Sequence, residues 1–164
     1  MTKTGRSVCW FLGVFLLLQQ AWEMARATWI EQWLIGQLTV GSLVQGIRWI
    51  SPDLDVTRDG FRVVAPGGGL QVLPGCDGME VWLLMTAALL TFGFTWRQRW
   101  MGLLAGSVWV FALNQVRLLV LFYAFRLAPS WFGTLHVLVA PLLLIVAVLG
   151  FFVVLMRWGP NRAA

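Results

Sequence analysis

The sequence predicts an all-α integral membrane helix bundle of about four transmembrane helices, or five if an outer segment also spans, with a small extracytoplasmic β meander and an interfacial helix. Three observations lead there. The 164-residue chain is 59% hydrophobic and has a mean hydropathy of +0.77, too apolar for a soluble domain of this length. Its apolar residues gather into runs close to the roughly 20 residues that a helix needs to cross a bilayer. Of its eleven tryptophans, Trp96, Trp100, Trp131 and Trp158 stand at run ends, where an indole prefers the headgroup zone.

The elements follow in chain order as one membrane domain. Residues 8–22 form a first transmembrane helix or signal anchor. Lys3 and Arg6 precede it and Ala25-Arg26-Ala27 resembles a small-residue cleavage site, so a signal peptide removed from residues 1–27 is the alternative. Either way the chain beyond residue 23 is sent across the membrane. Residues 28–50 mix apolar and polar positions at helical spacing, predicting an interfacial helix or a slanted fifth span. Residues 53–73 read as a β meander, with Asp59-Gly60 as a tight-hairpin signal and Pro66 to Gly69 as a second turn. Residues 76–95 form the next transmembrane helix, whose run from Met79 carries only Glu80 as a charge. Residues 101–125, with Arg117 as the single charge, and residues 134–156 form the last two. The stretch Trp96-Arg97-Gln98-Arg99-Trp100 is read as the turn between the second and third spans.

Charge sets the expected orientation. All seven acids, Glu23, Glu31, Asp53, Asp55, Asp59, Asp77 and Glu80, fall between the first and second apolar runs. Lys3, Arg6, Arg97, Arg99, Arg157 and Arg162 fall on the other side. Positive-inside bias then places a multi-pass protein in the cell (cytoplasmic) membrane with both termini inside and residues 23–78 outside. The formal charge of +5 raises the question of nucleic acid, but the basic residues form no stripe and lie mostly beside apolar runs. Membrane lipid is the expected partner and nucleic acid is not.

Few polar residues remain once a helix bundle is subtracted. A charge central in a membrane helix costs about 2.5–3.5 kcal/mol even on the lenient insertion scale, so Arg117 needs a reason. Snorkelling to the outer headgroups is the simple one. Against it, Asn114 lies three residues earlier on the same helix face, the pattern of an interior site. His136 is the only histidine, and Cys76 and Cys9 are the only cysteines. Cys9 starts near the inner face and Cys76 near the outer, which argues against a disulfide, and the His and acids show no metal-ligand spacing, so neither metal nor cofactor is expected.

Depth relates the remaining three. Counted from residue 101 at about 1.5 Å per residue, Arg117 lies about 24 Å along its helix, just beneath the outer edge of a hydrocarbon core about 30 Å thick. Cys76 begins one span and His136 opens another at that same edge. The stretch Pro74-Gly75-Cys76-Asp77-Gly78 would then present Cys76 at the first turn of a helix, whose dipole favours thiolate. His136 would accept the thiol proton and Arg117 would hold an oxyanion. Asp77 and Glu80 oppose thiolate formation; Glu80 is also placed to orient Arg117 or His136, and both acids fit the simpler role of helix N-terminal charges.

Gly75-Cys76-Asp77-Gly78 with Glu80, Asn114-x-x-Arg117 in the next run and His136 opening the last resemble, in order and depth, the exosortase/archaeosortase family of membrane cysteine transpeptidases, in particular its short exosortase H-like branch. The resemblance covers residues from about 50 to 156, the meander included. It implies a catalytic Cys76, Arg117 and His136 with Asn114 in support. It also implies exported substrates bearing a C-terminal sorting signal (a short motif, a membrane helix and a basic tail), whose acyl group passes to an acceptor nucleophile that the sequence does not identify. Asp77 departs from the small or amide residue that relatives often carry there. Two other readings stay open: a non-enzymatic scaffold or assembly subunit, which would tolerate loss of Cys76, and a small transporter or channel subunit, which would need polar residues along a whole helix face.

Overall fold

Capping decides where the apolar runs begin and end as helices. The computed structural model describes residues 3–157; Trp158 and Arg162, expected at the inner end, lie outside the described residues, as does the side chain of Lys3. Helix α1 covers Lys3–Ala25. Helix α2 follows at residues 29–50, its N-terminus capped by the Thr28 side chain, which accepts from the Ile30 N–H at 3.2 Å. Its middle, Gln32–Val40, is wound as a π-helix, and the Thr39 hydroxyl follows that wider turn by donating to the Leu34 carbonyl five residues back. Ile35, Val40, Leu43, Val44 and Ile47 are buried while Trp29, Trp33 and Trp49 are exposed, so α2 is a packed member of the bundle with one open aromatic face.

The meander has three antiparallel strands in the order β1 (Thr57–Asp59), β2 (Arg62–Val64), β3 (Leu70–Gln71). Asp59 pairs with Arg62, so the two-residue turn is Gly60-Phe61, one position later than the Asp59-Gly60 signal, with the left-handed φ of +57° on the glycine. Arg48 of α2 holds the sheet by donating to the Val56 carbonyl at 2.7 and 3.0 Å.

The apolar run expected over 76–95 is helical only over Met79–Thr91, hereafter α3, and its 13 residues reach about 20 Å, short of a bilayer core of about 30 Å. Helix α4 covers Trp96–Leu127, 32 residues, so the tryptophan-arginine stretch read as a turn is instead its first turn. The cause is a capping box: Thr95 accepts from the Gln98 N–H while the Gln98 side chain accepts from the Thr95 N–H at 2.9 Å. Helix α5 runs over Pro129–Arg157, starting five residues earlier than residue 134 because proline suits a first helical position, and it carries a π-helical segment at Leu135–Val139. Among the described residues three helices, Gly5–Ala25, Trp96–Leu127 and Pro129–Arg157, are long and apolar enough to cross a membrane.

α4 is the central member, touching α2, α3 and α5. Its buried stripe is Gly102, Gly106, Val110, Asn114, Arg117, Leu118 and Leu121. One end packs through Val110 into a cluster with Met85, Leu89 and Val148; the other packs through Leu118, Leu121 and Phe122 against α2 and the meander. Asn114 and Arg117 sit where those two cores meet. The glycines let α3 and α5 close in: a Cβ on Gly106 would fall 2.5 Å from Met85 Sδ and 3.1 Å from Phe151. Gly106→Val is therefore expected to cost about 1–3 kcal/mol by overpacking. A thermal melt in detergent checks this, and an unchanged midpoint would show that α4 is not so closely approached.

Candidate active site

The cysteine is held by two consecutive turns. In Leu73-Pro74-Gly75-Cys76 the Cys76 N–H donates to the Leu73 carbonyl at 2.9 Å, with proline at the second position and Gly75 at φ +85°, the requirements of a type II turn. Asp77 then folds its carboxylate back to accept from the Met79 N–H at 3.0 Å. Gly78 caps α3 at φ +83°, a conformation that a side chain rarely adopts, and its bare Cα faces Asn114, whose Cγ a Cβ would meet at 3.0 Å. Asn114 Nδ2 donates to the Asp77 carbonyl at 2.9 Å. The loop is thus pinned from below by α4.

Around the sulfur, two groups converge from two other helices. His136 of α5 approaches Cys76 Sγ with Nε2 at 3.6 Å and Nδ1 at 4.0 Å. Its ring lies parallel to Phe132, centroid to centroid 5.5 Å, which fixes the imidazole plane. Arg117 donates from one terminal nitrogen to Cys76 Sγ at 3.8 Å and from the other to the Gly75 carbonyl at 3.5 Å. Cys76 and Arg117 are each 8% exposed, so the guanidinium is held inside the bundle and does not snorkel to its rim; α4 continues beyond it to Leu127. Arg117 has no carboxylate within ion-pair distance among the described residues, and its Nε is buried without a hydrogen-bond partner. A buried cation lacking an anion is costly, so the site favours negative charge at the sulfur or on an oxygen beside it.

Two expectations need correction. Cys76 is not in the first turn of a helix; it precedes the Gly78 cap by two residues, where the dipole of α3 has little hold. Burial pushes the thiol above its ordinary range, Arg117 opposes that rise, and Asp77 and Glu80 add to it. Glu80 is exposed and forms no ion pair with Arg117 or His136 among the described residues; its carboxylate lies over Gly75 instead. Asp77 does serve as a capping group at the start of α3, and burial raises its own pKa against the pull of the Met79 N–H.

The chain matches no family model, no curated protein and no solved structure. An imidazole nitrogen and a guanidinium that has no carboxylate partner among the described residues both lie against one sulfur, a set of groups able to move a proton and to face an anion. Phe132 was not singled out by the sequence reading, although its position four residues before His136 was the signal available. Cys9 is exposed on α1 and has no part in the site.

Because its thiol is held above the ordinary range, alkylation of Cys76 by a neutral electrophile is expected to keep accelerating with pH after the same peptide in urea has levelled off. Mass spectrometry of the Cys76 peptide across a pH series measures this. A plateau at lower pH in the folded protein than in urea would mean that Arg117 outweighs burial.

Proposed function

We propose that this chain is a membrane cysteine transpeptidase or protease of the exosortase type, cutting C-terminal sorting signals of exported proteins through a thioester on Cys76. The observation that carries the reading is the meeting, on one sulfur, of an imidazole at 3.6 Å and a guanidinium at 3.8 Å that has no carboxylate partner among the described residues. In the proposed cycle His136 takes the thiol proton as Cys76 Sγ attacks a backbone carbonyl carbon. Arg117 holds the resulting oxyanion, and His136 returns the proton to the departing amine as the C–N bond breaks. An acceptor amine or water then attacks the thioester and restores the thiol. The charge asymmetry of the sequence supports an extracytoplasmic site with both termini cytoplasmic.

The transporter reading is disfavoured by α4, whose buried stripe carries polar groups only at Asn114 and Arg117. A direct test is co-expression with an exported reporter ending in an apolar helix and a basic tail. The expected result is a covalent adduct at Cys76 that hydroxylamine releases, because thioesters are cleaved by it and thioethers are not. Full processing of the reporter with no hydroxylamine-sensitive species, and equal processing without Cys76, would sink the proposal.

A further inference from the structure

The β meander packs against α4, and its last strand runs directly into the cysteine turn. The register pairs Arg62 with Gln71 and Val63 with Leu70, and the Val72 N–H donates to the Phe61 carbonyl at 2.9 Å. In an antiparallel pair, hydrogen-bonded and non-bonded residue pairs alternate. Phe61 with Val72 and Val63 with Leu70 are then the bonded pairs, and Arg62 with Gln71 is the non-bonded one. The N–H and carbonyl of Gln71 therefore point away from β2, toward the free edge of the sheet, and so does the N–H of Leu73. No strand lies beyond β3, and no backbone or side-chain partner reaches these three groups among the described residues. Gln71 and Leu73 are exposed, Leu73 by 51%, so the edge is open.

An unpaired edge is a liability that proteins shorten, charge or cover. Here it is short, uncharged and uncovered, and it ends at the turn that carries the nucleophile. The carbonyl that Cys76 attacks belongs to a backbone that must lie extended for the sulfur to reach it past a site only 8% exposed. We propose that an extended segment of the polypeptide substrate adds to the free edge of β3, pairing with the Gln71 N–H and carbonyl and the Leu73 N–H, and that this pairing sets which peptide bond is presented to Cys76. The inference rests on the acyl-transfer reading and adds to it a recognition mode: main-chain pairing supplies affinity and register, and alternate side chains supply choice.

The test uses the Cys9→Ser variant of the 164-residue chain in nanodiscs, so that Cys76 is its one remaining thiol. Two electrophiles are compared: iodoacetamide, and a peptide chloromethyl ketone, acetyl-Val-Thr-Val-Ala, in which the thiolate displaces chloride to form a thioether. A set of the same peptides is N-methylated at one amide at a time. The expected result is that the parent peptide labels Cys76 faster, relative to iodoacetamide, than at least one N-methylated version by about tenfold, the order expected for losing a backbone pair at an edge. Gln71→Pro removes an N–H that β2 does not use, at an edge position where proline is tolerated, and should lower the same peptide-to-iodoacetamide ratio for the parent peptide while leaving the ratio of the N-methylated one where it was. Equal ratios for all peptides, or a Gln71→Pro ratio equal to that of the unsubstituted protein, would overturn the edge-pairing proposal while leaving Cys76 a nucleophile. Failure of both reagents to label Cys76 would overturn the acyl-transfer reading and the pairing with it. A Gln71→Cys variant that forms a disulfide with a second copy in nanodiscs holding two chains would assign the edge to self-association and also overturn the proposal.

Discussion

Cys76→Ala is expected to abolish processing of a co-expressed reporter that ends in an apolar helix and a basic tail, by at least about 10³-fold, while the protein accumulates in the membrane as before. The second half of that expectation is as specific as the first. The Cys76 side chain is small, it sits in a turn and not within a helix, and the turn is held by backbone groups: its own N–H to Leu73, and Asn114 to the Asp77 carbonyl. Alanine keeps all of those bonds and removes only a sulfur. Cys76→Ser separates chemistry from shape further, because a hydroxyl there fills nearly the same volume but ionises far less readily, and His136 would have to remove a much less acidic proton. Reporter cleavage followed by immunoblot, with membrane abundance of each variant as the reference, decides the matter. Normal cleavage by either variant would remove Cys76 from the chemistry, and a scaffold role would then explain the indifference to its loss.

What the sequence made legible, and what it hid, divides along a physical line. Long-range hydrophobic patterning and rare polar residues survive in a one-dimensional reading, since Asn114 and Arg117 are three apart on one helix face and Gly60 needs no neighbour to favour a hairpin. Cys76, Arg117 and His136 were linked by depth counting, which needs only the rise of a helix. Local winding was not legible. The run after Cys76 looked helical from residue 76, but Asp77 spends its carboxylate on the Met79 N–H and Gly78 adopts a left-handed φ, so the helix waits until Met79. That three-residue delay changes the electrostatics, because it takes the thiol out of reach of the helix dipole and leaves Arg117 as the group that lowers its pKa. The start of α4 was hidden by two arginines that read as a loop, although Thr95 and Gln98 already carried the spacing of a capping box. The π-helical winding of α5 around His136 had no sequence signal, and this segment carries the imidazole that meets the sulfur.

The second large effect is expected at Arg117, where activity and stability should move apart. Arg117→Ala removes the cation that faces the sulfur and the donor available to an oxyanion, so reporter processing should fall by about 10²–10³-fold, the range found when one donor of an oxyanion site is lost. The same change should not lower the thermal midpoint in detergent. Among the described residues the resting guanidinium is buried, has no carboxylate partner, makes only long contacts of 3.5 and 3.8 Å, and leaves Nε without an acceptor. Such a charge costs desolvation energy that nothing nearby offsets, and its removal relieves that cost even as it opens a cavity. Arg117→Met, which refills the volume without charge, is expected to be at least as stable as the unsubstituted protein and as inactive as the alanine variant. Alkylation of Cys76 gives a third, independent readout: without Arg117 the thiol loses the one group that opposes its rise, so labelling at neutral pH should slow further. A structural arginine would give the opposite pairing, a lowered midpoint with alkylation unchanged, and that result would place Arg117 in the packing of α4 and not in the chemistry. Arg117→Lys discriminates between charge and geometry. A single ammonium on a flexible stem can restore part of the positive potential but cannot donate from two nitrogens to the Gly75 carbonyl and the sulfur together, so alkylation should recover more than processing does.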